Sequence, residues 1–195
     1  FAATACGGGD SSDKSDDTTK QTEEPDAGTP VPGGELSYAI EADAGAGYCL
    51  PNAQLAAGGI QVSNAIYDSL FVFNDKFEAV PYLSETSKWN ADYTELTVTL
   101  RDGVKFHDGT PLDAETVKLN LDVTRGEPNA VKSTGVAPEL FIFVFQDIKE
   151  VTAPDAKTVV ISTKRPWPAL PQFLASGRNG IVAKAQLADG LDKCK

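Results

Sequence analysis

The chain of 195 residues has no methionine, one histidine, three cysteines and two tryptophans. Each shortage closes off a kind of chemistry. With His107 alone, no site rests on two or three imidazoles. A Ser-His-Asp arrangement would have to run through His107, with Asp102 or Asp108 orienting it. No Gly-x-Ser-x-Gly elbow occurs, so no nucleophile is displayed in that way. The phosphate-cradling Gly-x-x-x-x-Gly-Lys-Ser/Thr loop is also missing, and Gly45-Ala46-Gly47 lacks the spacing of a dinucleotide site. No Cys-x-x-Cys pair is present to suggest zinc or dithiol redox chemistry. Basic residues number 17 against 28 acids, a net charge of −11 that leaves no clustered cations for nucleic acid. After Cys6, no apolar run approaches the roughly 20 residues of a membrane-spanning helix. We expect no catalytic residue, metal or cofactor, and we read His107 as a turn residue between Phe106 and Asp108. The missing methionine, and the lack of a closing tail at Asp192-Lys193-Cys194-Lys195, read as truncation at both ends.

The first 33 residues read as a tether. Between Asp10 and Asp26 stand seven acids and two bases in a Ser/Thr-rich tract, followed by Gly28-Thr29-Pro30-Val31-Pro32-Gly33-Gly34. Such a composition buries too little apolar surface to offset the entropy of ordering. Ahead of it, Ala3-Thr4-Ala5-Cys6 resembles the end of a bacterial lipoprotein signal, so Cys6 is the expected lipidation site. A diacyl or triacyl group there would hold the chain at a membrane. In an exported protein the remaining pair, Cys49 and Cys194, is expected to form a disulfide.

Beyond residue 33, helical and strand periodicities are mixed, as in an α/β or α+β arrangement. Residues 35–41 alternate like a strand. Leu55, Gly59, Val62, Ile66 and Leu70 recur at helical spacing. Leu96, Val98 and Leu100 alternate with Thr97 and Thr99, a half-buried strand. Asp113 is placed to cap a helix running to Arg125-Gly126, with Leu112 and Val117 at the positions of a hydrophobic staple. Residues 126–140 are Gly-, Pro- and polar-rich and read as a loop. Residues 147–152 and 158–163 read as a hairpin, residues 169–175 as a short helix, and Ile181-Val182 as a brief strand.

One run is distinctive. Ile66-Tyr67-Asp68-Ser69-Leu70 is followed by Pro81-Tyr82-Leu83, then by Leu100-Arg101-Asp102-Gly103-Val104-Lys105-Phe106-His107-Asp108-Gly109-Thr110-Pro111-Leu112, and later by Arg165-Pro166-Trp167. It closely resembles the family 5 bacterial extracellular solute-binding proteins, the peptide, oligopeptide and nickel binders of ABC importers. The resemblance implies a periplasmic-binding-protein type II fold: a first lobe, an extra subdomain, and a second lobe that this chain lacks. By analogy, residues 34–60 start the first lobe, 61–175 form the extra subdomain, and 176–195 return to the first lobe. It also implies a non-enzymatic monomer at the outer face of the cell membrane, or in the periplasm, that passes a peptide or similar solute to a permease with its ATPase. Ligand contacts are then expected at Glu41, Asp43, Gly45, Ala46 and Tyr48, and more weakly at Trp167. The distinctive run itself is expected to be scaffold, made of turns and a cap. Because a two-lobed binder works by closing on its solute, the chain alone is expected to bind poorly. Two rivals stand beside this reading: a lipid-anchored hydrolase with its nucleophile elsewhere, and a solute-sensing receptor without transport.

Overall fold

Residues 32–42, 50–51, 57–136 and 142–188 are described in a computed structural model of the chain. Two units are distinguished, Phe1–Tyr38 and Ala39–Lys195. In the first, the described residues carry no helix or strand, and Leu36 and Tyr38 are exposed. The strand expected at 35–41 is therefore absent. An alternating pattern needs a ladder partner, and none of the described residues pairs with it.

The second unit is built on an antiparallel sheet in the order β3-β4-β6-β5. Its strands are β3 (Ser84–Trp89), β4 (Glu95–Leu100), β5 (Ile148–Thr152) and β6 (Thr158–Thr163). The alternation in β4 is realised as expected: Leu96, Val98 and Leu100 are buried while Thr97 and Thr99 lie on the other face. Their neighbours Val159 and Ile161 on β6 face the same core, in register Val98↔Val159 and Leu96↔Ile161. A small hairpin precedes the sheet, β1 (Phe71–Phe73) with β2 (Ala79–Pro81).

Helix α2 (Ala114–Thr124) packs its Ala114, Val117 and Leu121 into the sheet core. Its cap is as the residues require. Asp113 stands at φ −127°, ψ 163°, and its Oδ1 accepts from the Thr116 amide (2.7 Å) and hydroxyl (2.6 Å). Helix α2 also has a second buried side. Val123 joins Leu50, Ala130, Val136, Val182 and Leu187 in a separate cluster. Ala130 of that layer comes from a helix where a loop was expected, α3 (Pro128–Thr134). Glu127 caps its start by accepting from the Ala130 amide, and Gly135 ends it at φ +68°. Proline at the first helical position and glycine just past the last are helix punctuation as much as loop signals. Shorter helices complete the unit: α1 (Ala57–Ile66), α4 (Ile142–Phe145), α5 (Leu170–Leu174) and α6 (Lys184–Ala188).

The Asp113 cap ties stability to pH. Burial opposes its ionisation, but the Thr116 hydroxyl and amide, with Lys184 nearby, outweigh burial and hold the carboxyl below its ordinary value. A carboxyl with a depressed folded-state pKa stabilises fully above its unfolded value, about 3.9, and loses that contribution as pH falls through the folded value. Asp113→Ala is expected to cost about 1 kcal/mol at neutral pH, the usual worth of such a cap, and less at pH 3. Urea midpoints at pH 7 and pH 3 measure the difference; an equal loss at both would remove the titration from the account.

Candidate functional site

Among the described residues, the second unit carries a groove of about 430 Å³. One wall is the loop from residue 104 to 112. It leaves β4 through Gly103 (φ +75°) and turns at Gly109 (φ +84°), positions where a side chain would be strained. The loop is closed by hydrogen bonds from Phe106 N to Thr110 O (2.8 Å) and from Leu112 N to Val104 O (3.0 Å). At its tip, the Asp108 carboxylate accepts from the Thr110 amide (2.9 Å) and hydroxyl (2.6 Å), which hold its pKa below the ordinary value. This internal bonding sends Val104, Phe106 and Leu112 to the groove floor, while Lys105 and His107 stand on its rim.

The opposite wall is the segment from Ile181 to Gln186. The strand expected at Ile181-Val182 forms no ladder. Its backbone groups bond elsewhere. The Ile181 amide donates to Asp68 O (2.8 Å). The Val182 amide donates to Asn120 Oδ1 (2.9 Å), and Asn120 Nδ2 donates back to Val182 O (2.8 Å) and to Thr116 O (2.8 Å). One buried side-chain amide on α2 thus takes the place of a neighbouring strand. Ile66, Tyr67 and Asp68 close the end of the groove, with Gln186 Nε2 donating to the Tyr67 hydroxyl (2.6 Å).

Gly180 sets how closely this wall approaches. Its φ of −59° is open to any residue, but a Cβ there would lie 2.5 Å from Tyr67 Cβ. Tyr67 Cβ is fixed to the backbone and cannot swing aside. Gly180→Ala should therefore push the two apart at a cost of about 1–3 kcal/mol, as overpacking does. Urea unfolding tests this, and a wild-type midpoint would show that the contact relaxes freely.

The groove lining is mostly apolar, with Asp68, Lys105, His107 and Asp108 among its polar members. None of its lining residues is Ser, Thr or Cys, so the Ser-His-Asp arrangement that would use His107 is not assembled there. Among the described residues, no three His, Cys, Asp or Glu side chains are placed to share a metal ion. The 104–112 run does serve as scaffold, as expected, but it is also a groove wall. That second role was available in the alternation of Val104 and Phe106 with Lys105 and His107.

Two of the expected contact residues, Glu41 and Trp167, are described, and neither lines this groove. Glu41 is exposed and lies outside its lining. Trp167 is half-buried against the main core, its ring 6.1 Å from Phe145 and 5.4 Å from Phe173, with its amide donating to Tyr93 O (2.8 Å). Asp43, Gly45, Ala46, Tyr48, Cys6, Cys49 and Cys194 lie outside the described residues. No described helix is long and apolar enough to cross a membrane.

Comparison with known proteins agrees across sequence and structure. Residues 78–193 match the profile of "Bacterial extracellular solute-binding proteins, family 5 Middle". The glutathione-binding protein GsiB of Escherichia coli strain K12 is 30% identical over 126 residues, which make up 65% of this chain and 23% of that protein. The solved structure of the periplasmic binding protein AgaA of A. tumefaciens R10, in complex with agropinic acid, superposes with a TM-score of 0.60 at 30% identity, covering 70% of this chain and 26% of that one. HbpA2 of Haemophilus parasuis shares the fold with a TM-score of 0.62 at 23% identity, covering 70% of this chain and 29% of that one. The chain thus spans about a quarter of the length of the relatives it matches.

Proposed function

The chain belongs to the family 5 bacterial extracellular solute-binding proteins, and from that premise we propose that it serves as the capture component of an ABC importer for small peptides or similar solutes. The match over residues 78–193 carries the proposal. GsiB is named for binding glutathione, itself a small peptide, which favours a solute of that class. No chemistry is required of such a protein: it holds a solute and presents it to a permease driven by an ATPase.

The finer parts of the reading belong to the same proposal. Cys6 carries lipid at the outer face of the membrane, residues 1–33 form the tether, and Cys49 bonds to Cys194. Residues 34–60 and 176–195 belong to one lobe, with 61–175 as an added subdomain. Glu41, Asp43, Gly45, Ala46 and Tyr48 face the main cleft, with Trp167 as a lesser contributor. Their support is the small-small-Cys sequence ahead of an acidic tract, and a Gly-rich segment where extended solutes could pair with exposed backbone groups.

The test is mass spectrometry of small molecules released by denaturing the purified protein, together with thermal shifts against di- to pentapeptides. A released peptide, or a saturable rise in Tm with one, is the expected result. Purified protein with no bound solute and no shift from any peptide would remove the peptide class. Non-reducing peptide mapping checks the cysteines; free thiols at Cys49 and Cys194 would rule out the bridge.

A further inference from the structure

The groove between the 104–112 loop and the 181–186 segment is built within the second unit, so it needs no closing lobe. Its floor is apolar, contributed by Leu83, Val104, Phe106, Leu112 and Ile181, with Ile66 at the end. Its volume of about 430 Å³ lies within the range of small-molecule sites, about 300–1,000 Å³. Its rim carries charge of both signs, with Asp68 at the end next to α1 and Lys105 on the loop, beside the His107 imidazole.

These rim groups differ in how they are held. The Asp108 carboxylate is committed to Thr110. The Tyr67 hydroxyl and the Gln186 amide are bonded to each other. By contrast, the side chains of Asp68, Lys105 and His107 make no hydrogen bond or ion pair among the described residues. An apolar slot flanked by an uncommitted acid at one place and uncommitted bases at another is complementary to a zwitterion with an apolar side chain. A polyanion would meet two carboxylates at the rim, and a plain hydrocarbon would leave both charge types unanswered.

Resting on the solute-binding reading above, we propose that this groove is a second peptide subsite. It takes one apolar side chain of a short zwitterionic peptide, with the ammonium toward Asp68 and the carboxylate toward Lys105 and His107. The groove then acts as a weak holding site between the 104–112 loop and the 181–186 segment, apart from Glu41 and Trp167, which do not line it.

The test uses the 195-residue chain, Ala-Leu-Ala as probe and Gly-Gly-Gly as control, followed by amide chemical shifts. Ala-Leu-Ala is expected to shift amides at 104–108 and 183–186 saturably, and Gly-Gly-Gly to bind at least tenfold more weakly. Ala185 is exposed on the groove wall. Ala185→Trp should therefore fill the slot without unfolding the chain and remove the shifts, while Asp68→Asn should weaken binding several-fold. If Ala185→Trp disturbs the fold, Asp68→Asn with Lys105→Gln carries the test. Shifts that fall only around Glu41 or Trp167, or that survive both the filled slot and the charge changes, overturn the subsite and leave solute binding intact. The same holds if peptide co-purifies with the protein yet the groove amides do not move. No peptide in either experiment defeats both. A cysteine at 185 that resists thiol reagents in a longer form of the protein shows the groove covered by other chain, and overturns the subsite as well.

Discussion

Replacing Asn120 by alanine is expected to destabilise the protein by about 3–5 kcal/mol, and to loosen the groove before the sheet. The Asn120 amide lies buried and bonds both backbone groups of Val182 as well as Thr116 O. Truncation leaves the Val182 N–H and C=O buried with no partner, each at a cost of about 1–3 kcal/mol. Val182 itself is buried, so water cannot readily replace the lost bonds. Leucine at 120 fills the space but restores none of the bonds, so it should recover little. Asn120→Asp keeps the acceptor for the Val182 amide, but it turns a second carboxylate oxygen toward two carbonyls and should be worse at neutral pH than alanine. Urea denaturation measures the loss, and hydrogen exchange at Ile181 and Val182 shows where it falls. Exchange that rises uniformly across the sheet instead would mean that Asn120 supports the whole fold and not this wall.

Leu96→Ala is expected to cost about 2–5 kcal/mol, the range for truncating a fully buried leucine. Leu96 sits on β4, paired to β3 on one side and to β6 on the other. Its side chain has no exposure and lies in the main core. A central strand bonded on both edges cannot shift to fill the space, which places the cost in the upper half of that range. Here the loss should be global: near-ultraviolet circular dichroism and exchange of β4 and β6 amides should fail together in urea. A change under 1 kcal/mol would mean that the surrounding core collapses into the space freely. The contrast with Asn120 separates two kinds of stability, a cooperative core and a locally pinned wall.

How much of this was legible in the residues depends on the range of the forces involved. The α2 cap was readable because Asp113, Thr116 and their hydrogen bonds lie within one turn of chain. The face of β4 was readable because strands alternate and its three apolar residues all go inward. Strand β3 was not, since Ser-Glu-Thr-Ser-Lys-Trp sits at the sheet edge with most of its side chains in water. An edge strand is held by its neighbour's backbone, which leaves no hydrophobic pattern to detect. The second buried side of α2, where Val123 meets Ala130 of α3 and Leu187 of α6, gave no such signal. The α3 helix was hidden behind its own punctuation, Pro128 and Gly135.

The same division runs through function. The long run from Leu100 to Leu112 determined, without any coordinates, the family to which the chain belongs and the class of fold. Its glycines, its Asp turn and its cap are local demands of the backbone, and local demands are written residue by residue. Only the tertiary structure decided that this run is also a wall, because its partner lies some 70 residues later in the chain, from Ile181 to Gln186. That partner is held by one amide on α2, one carbonyl at Asp68 and the hydroxyl of Tyr67. No periodicity announces such a pairing, since a single side chain bonding a distant backbone leaves no repeat in the sequence.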